Sequence, residues 1–327
     1  MGVVASAPAK VILFGEHFVV YGEPAIVLAI DKRAYATVDR SDDKFLHCRS
    51  VNLNLKGYFD DGVFKVERGE PREARVKFEP VRVAVEKVME SCKDRVGLNI
   101  EINSTVPVGA GLGSSAAVVA AVTLATSALL NVKLQKEDVF RISLDAERVV
   151  HGTSSGVDPA IATFGGAMLF QSDTGFKPLD VKSQIPLVIG DTGVQRSTKV
   201  QVDKVRSITD EYPQIVEPIR RAAREIVLRA MDAFKHNDLR TLGDLMNVNQ
   251  ALLYGLGVSD ESLEWLINAA KKAGALGAKL TGAGGGGCMI ALATDDNLQE
   301  VLEAIMRAGG RSFTARKTDE GVRIEKN

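Results

Sequence analysis

The chain has 327 residues, 45% of them hydrophobic, with 30 glycines and 10 prolines and no biased tract, which suits a folded chain of two domains and argues against disorder. Forty-one basic residues against 42 acidic ones give a net charge of −1, without the basic excess of a nucleic-acid binder. The longest weakly polar run, 116–130, is too short and too rich in Ser and Thr for a membrane span.

In chain order, strands are expected at 10–14 and 18–21, separated by the turn Gly15-Glu16-His17, and again at 25–30 and 34–38, where Ile, Val and Tyr dominate. The polar stretch 40–75 reads as a surface hairpin region and 81–92 as a helix. Leu98, Ile100 and Ile102 alternate with Asn99, Glu101 and Asn103, the pattern of a half-buried strand. Pro107 to Gly113 breaks it, and an Ala-rich helix follows with Ser114 and Ser115 placed to cap it. A second helix is expected at 136–151, then a turn-rich loop at 152–159. A domain junction falls within 165–185, dividing the chain into 1–172 and 173–327. The second half reads as a strand at 186–190, helices near 212–236, 238–254 and 260–274, and a strand–helix–strand ending at 279–293, 297–308 and 311–317. This order implies an α+β protein whose second domain is ferredoxin-like. No internal repeat of fixed period occurs.

Three cysteines, Cys48, Cys92 and Cys288, are far apart and form no CxxC pair, and the four histidines show no HExxH pattern. That usage fits a reducing, cytoplasmic setting better than a disulfide framework. No basic segment followed by an apolar one opens the chain, so no signal peptide is expected.

The richest segment is Pro107-Val-Gly109-Ala110-Gly111-Leu112-Gly113-Ser114-Ser115-Ala116-Ala117. Glycines let a backbone approach a ligand, and the free N–H groups and dipole of the helix that follows favour an anion. Three readings compete: a glycine turn with a Ser cap and no ligand; a dinucleotide fold, since Gly111 to Ala116 matches GxGxxA; and a loop for the phosphates of ATP. The dinucleotide reading lacks the second strand and acidic residue it needs. No GxxxxGK[ST] occurs, so this is no Walker A loop, and the HRD and DFG triplets of protein kinases are missing.

Phosphoryl transfer also needs an oxygen ligand for Mg²⁺, a cation near the γ-phosphate and a group that orients the hydroxyl. Glu147 and Asp158 are the candidate acids, although each has a bland alternative: a solvated helix face for Glu147 and turn chemistry before Pro159 for Asp158. Lys10 sits among Val, Ile and Leu, where a lysine is seldom buried without a partner.

Taken together, three segments resemble the GHMP kinase family: Pro8-Ala-Lys10 through Gly15-Glu16-His17 to Gly22, Pro107 through Ala117, and Lys279-Leu-Thr-Gly282 through Gly287-Cys288. They stand in the family's order and span nearly the whole chain. The resemblance implies an N-terminal domain like ribosomal protein S5 and a C-terminal ferredoxin-like sandwich. It implies ATP as donor, Mg²⁺ as cofactor, a homodimer, and no nucleic-acid or membrane partner.

Residue by residue, it makes Asp158 the catalytic aspartate and Lys10 its lysine near the γ-phosphate. Ser104, Gly109, Ala110, Gly111, Leu112, Gly113, Ser114 and Ser115 would bind ATP, and Ser115 and Glu147 the metal. Glu16, His17, Ser155 and Thr198 would line the acceptor, with His17, Arg196 and Lys199 as candidates for an acceptor carboxylate. Gly282, Ala283, Gly284 and Gly285 would support the site. Galactose-phosphorylating members carry an acid shortly after Gly-Glu-His. Here Phe18-Val-Val-Tyr21 follows, which suits a branched hydrocarbon and points to mevalonate as acceptor. Another small alcohol, such as phosphomevalonate, a sugar or homoserine, is the alternative. Ala9 departs from the family's usual glycine, and 40–75 transfers no adenine contacts.

Overall fold

The computed structural model describes residues 2–92, 96–106, 111–152, 154–182, 184–194 and 197–326. The first half of the chain runs β1 (Val3–Phe14), a short 3-10 turn (Phe18–Tyr21), β2 (Ala25–Arg40), β3 (Leu46–Ser50), β4 (Leu55–Asp60), β5 (Val63–Arg68), α1 (Pro71–Met89), β6 (Leu98–Ser104), α2 (Ser114–Leu129), α3 (Lys136–His151), α4 (Val157–Phe164), β7 (Ala167–Gln171) and β8 (Gly175–Leu179). The second half runs β9 (Pro186–Asp191), α5 (Thr198–Glu211), α6 (Pro213–Lys235), α7 (Leu239–Gly255), α8 (Glu261–Lys272), β10 (Gly277–Leu280), β11 (Cys288–Leu292), α9 (Leu298–Arg307), β12 (Arg311–Arg316) and β13 (Arg323–Ile324).

The strands form two sheets. The larger has the order β13-β1-β2-β6-β3-β4-β5, with β7 added to β2 and β8 to β7. It therefore takes in β8 and β13, both C-terminal to the junction expected at 172 and 173. The smaller sheet has the order β10-β11-β9-β12 with antiparallel pairing throughout. Its strand order and its helical crossovers are those of a ferredoxin-like sandwich.

The alternation of β1 decides what the chain can do. Ala9, Val11 and Leu13 are fully buried and pack with Ile226, Val227 and Ala230 of α6, so this face joins the sheet to the second half of the chain. A register shift between Pro8 and Ala9 precedes them. Side chains on a strand alternate sides, so Lys10 and Ile12 share the opposite face. On that side α2 packs: Ala117, Ala120, Ala121 and Val122 lie in one core with Phe78, Val81 and Val85 of α1. Small side chains let α2 approach β1 and β2 closely, and this brings its N-terminus to Lys10.

Several elements differ from expectation. Residues 18–21 form a 3-10 turn, not a strand, because His17 (φ 63°) and Gly22 (φ 89°) both take left-handed conformations that close the chain on itself. The segment 40–75 holds three strands, with α1 starting at Pro71, ten residues before the expected helix. Glu70 caps α1 by accepting from the N–H groups of Arg72 and Glu73, and the interior Pro80 is what concealed the start. Gly113, not a serine, occupies the N-cap of α2 at φ 72°. Asp158 lies on a short helix, α4, rather than in a loop, and α5 was not expected at all. The segment 279–293 is two strands with a glycine turn between them. Among the described residues, no helix is long and apolar enough to cross a membrane.

Candidate active site

A cleft of about 650 Å³ lies between the N-termini of α2 and α4 on one side and the β10–β11 turn on the other. Lys10, Glu16, His17, Ser104, Gly111, Leu112, Gly113, Ser114, Ser115, Glu147, Asp158, Thr198, Gly282 and Ala283 all line it. Gly109, Ala110 and Arg196 fall outside the described residues. A groove of about 1000 Å³ elsewhere, between the β8–β9 connection and α6, is larger but gathers none of these groups.

At the centre, Lys10 Nζ stands 3.3 Å from Asp158 Oδ1. Lys10 is 6% exposed, so its ammonium has given up most of its water for this partner. The backbone N–H of Lys10 donates to Leu112 O at 2.9 Å, which ties β1 to the loop before α2. Gly113 packs directly on the pair: a Cβ there would stand 2.8 Å from Lys10 Cγ and 3.6 Å from Asp158 Oδ2. Its positive φ and this close approach both demand glycine. The first N–H groups of α2 open on the cleft beside Ser114 and Ser115, which is where an anion is favoured.

Glu147 of α3 reaches the same cleft and accepts a hydrogen bond from Ser154 Oγ at 2.5 Å. Burial first, and the charge of Asp158 second, push its carboxyl above the usual carboxylate range, while Ser154 and Lys10 oppose this. Ser154 in turn accepts from Gly156 N at 3.0 Å. Ser155, the neighbour singled out by sequence, is exposed and does not line the cleft; its Oγ accepts from Val157 N at 3.5 Å.

The β10–β11 turn closes the other side. Thr281 Oγ1 donates to Ile12 O at 2.9 Å and accepts from Ile12 N at 3.0 Å. His17 Nε2 and Ala283 O are 2.7 Å apart. Gly284 and Gly285 do not line the cleft. Gly285 N donates to Val258 O at 2.7 Å, and a Cβ on Gly284 would stand 2.1 Å from the same oxygen, so both shape the turn from behind.

Set against known proteins, residues 79–166 match the family model described as GHMP kinases N terminal domain, and residues 230–311 match GHMP kinases C terminal. A protein named mevalonate kinase from Pyrococcus horikoshii is 44% identical over 99% of this chain and 98% of its own length. The chain belongs to the GHMP kinase family. A crystal structure of L. major mevalonate kinase in complex with R-mevalonate superposes with a TM-score of 0.81 at 27% identity, over 98% of this chain and 97% of that one. The Methanococcus jannaschii mevalonate kinase has the same fold, with a TM-score of 0.84 at 24% identity over 97% and 99%. As a GHMP kinase, the chain is an ATP-dependent phosphotransferase.

Several residues of this kinase cleft escaped sequence reasoning. Ser50, Asn52, Leu53, Lys77, Phe78 and Val81 line it from the β3–β4 turn and α1. The spacing of Phe78, Val81, Val85 and Val88 carried a helical signal, interrupted by Pro80. Asn52 gave none: it is fixed by tertiary contact, accepting from Ser104 N at 2.6 Å and donating to Ser104 O at 3.0 Å.

Proposed function

We propose that this cleft transfers the γ-phosphoryl group of ATP to the primary alcohol of mevalonate, giving ADP and 5-phosphomevalonate. The observation that carries the reading is the Lys10–Asp158 pair, 3.3 Å apart, facing the N-terminus of α2. Phosphates would lie along 111–115 and, by resemblance, Gly109 and Ala110, held by N–H groups and the helix dipole. The mostly apolar wall of Phe78, Val81, Ile102, Val118 and Val119, with Ser50, Asn52, Lys77 and Ser104 among its polar groups, suits the base. Asp158 orients the acceptor hydroxyl in line with the γ-phosphorus. The new bond joins that oxygen to phosphorus, the bond to the bridging oxygen of ADP breaks, and the hydroxyl proton leaves along the hydrogen bond to Asp158. Lys10 holds Asp158 in place and offers its charge to the γ-phosphate.

Ser115 and Glu147 are the groups that would hold Mg²⁺. Both line the cleft, and Glu147 is an oxygen donor whose charge is made costly by burial and by Asp158, more than Lys10 and Ser154 offset, so a cation there is favoured. When bound, the ion neutralises charge on the phosphates. On the acceptor side, Glu16, His17 and Thr198 border the cleft with Val19 and Val20, whose apolar surface suits a branched hydrocarbon better than a sugar. We further propose a cytoplasmic homodimer, for which sedimentation velocity showing twice the chain mass is the test. The activity is tested by ADP release with Mg·ATP and a panel of mevalonate, phosphomevalonate, galactose and homoserine. Selective turnover of mevalonate supports the reading, and preferred turnover of another member overturns it.

A further inference from the structure

The turn Gly15-Glu16-His17 is an expensive conformation. Gly15 has φ 95°, and a Cβ on it would stand 2.5 Å from Pro24 O. His17, a residue with a side chain, sits at φ 63°. Such backbone persists only where surrounding contacts over-determine it. Side chains and backbone of the β10–β11 region supply several of those contacts. Residues Lys279, Thr281 and Ala283, two apart along the chain, each reach the segment 12–17: Lys279 pairs with Glu16, Thr281 bonds Ile12 twice, and Ala283 O meets His17.

The Lys279–Glu16 contact stands apart from the others. Both side chains are 0% exposed, and they bridge the two sheets of the molecule. Burial pushes the Glu16 carboxyl up and the Lys279 ammonium down, and their mutual attraction opposes both shifts. Lys279 is also committed to Leu280 O at 2.6 Å, so its position is fixed by its own strand. A buried pair of this kind adds little net stability compared with apolar packing and is better suited to fixing geometry. Only Oε1 of Glu16 is used. Oε2 is buried and has no hydrogen-bond partner, and the side chain is shut off from the cleft that the residue borders. A buried acceptor left unpaired is costly, which again marks the pair as a device that fixes geometry.

We infer that Lys279 is a positioning residue for the acceptor substrate: by gripping Oε1 of Glu16 it fixes the turn Gly15-Glu16-His17 and so holds His17 at the edge of the cleft. The inference rests on the proposed kinase reading and assigns Lys279 to the acceptor side alone. Lys279→Met keeps the length and removes the charge, but leaves Glu16 buried alone, so Lys279→Met/Glu16→Gln is measured beside it, with thermal unfolding of each. The expected result is a KM for the alcohol raised roughly ten- to a hundredfold in both variants, with the KM for ATP within about twofold of wild type. Unfolding should be lowered in the single variant and largely recovered in the double. A purely structural pair would show the acceptor KM recovering along with stability, and that outcome overturns the inference. So does an unchanged acceptor KM in a folded variant, or equal shifts for ATP and alcohol. Wild type is assayed in parallel on the panel above. If it accepts another alcohol and not mevalonate, the substrate reading fails by itself and the Lys279 ratios are read with that alcohol. If it accepts none, both fail.

Discussion

Replacing Asp158 with Asn keeps its size and removes its charge, which separates orientation of the hydroxyl from binding of nucleotide. The variant should lose roughly 10²–10⁴-fold in kcat, with ATP affinity within about threefold of wild type. Steady-state kinetics with mevalonate and isothermal titration with ATP would show it. Near-normal turnover would remove Asp158 from the reaction. Gly113→Ala makes a sharper test of the packing around the pair. The added methyl meets Lys10 Cγ at 2.8 Å on a backbone with φ 72°. A loss of about 1–2 kcal/mol in stability is expected from the backbone alone, and a fall in kcat from displacement of Lys10. Lys10 itself was legible in the sequence, since a lysine within an apolar strand requires a partner. Glu16 was legible as a pocket residue only by resemblance. Its partner Lys279 was not, because nothing in a sequence pairs two residues 263 positions apart.

At the scale of elements, α1 supplies Lys77, Phe78 and Val81 to the cleft, and its start depends on one exposed carboxylate. The N–H groups of Glu73 and Arg72 hold Glu70 below the usual carboxylate range. A depressed folded pKa means that the cap's contribution is present above 4.5 and is lost as pH falls through the folded value. Glu70→Ala should therefore lower Tm by about 1–2 °C at pH 7, with the gap to wild type closing below pH 4.5. A gap that stays constant with pH would show that the carboxylate's charge has no part in it. Long periodic elements such as α3, α6 and α8 could be read from their apolar spacing. Three others could not, each for a physical reason. Pro80 hides the first turns of α1. The β-branched run of α5, with Val200, Val202, Val205 and Ile208, has weak helix preference. The eight-residue α4 is too short to show a period, so Asp158 was placed in a loop when it stands in a helix's first turn.

At the scale of the whole molecule, the cleft depends on contacts between distant parts of the chain. The C-terminal segment returns to the first sheet, where β13 pairs with β1. Buried Arg33 secures it, donating to Ser6 Oγ, Ser6 O, Glu320 O and Gly321 O. Arg33→Met should cost about 3 kcal/mol in urea unfolding, by leaving these acceptors buried and unpaired; a loss under about 0.5 kcal/mol would show that water replaces the guanidinium there. The ferredoxin-like arrangement of the second half followed from strand–helix order, whereas the return of β13 to the first sheet left no mark in the sequence. All of these contacts serve phosphoryl transfer from ATP to mevalonate at the cleft around Lys10 and Asp158. The most direct measurement is ³¹P NMR of the wild-type protein with Mg·ATP and mevalonate. One new phosphate monoester, coupled to the C5 methylene protons and formed in equal amount with ADP, is the predicted result. ADP appearing without that ester, or an ester forming as readily on galactose or homoserine, would contradict it.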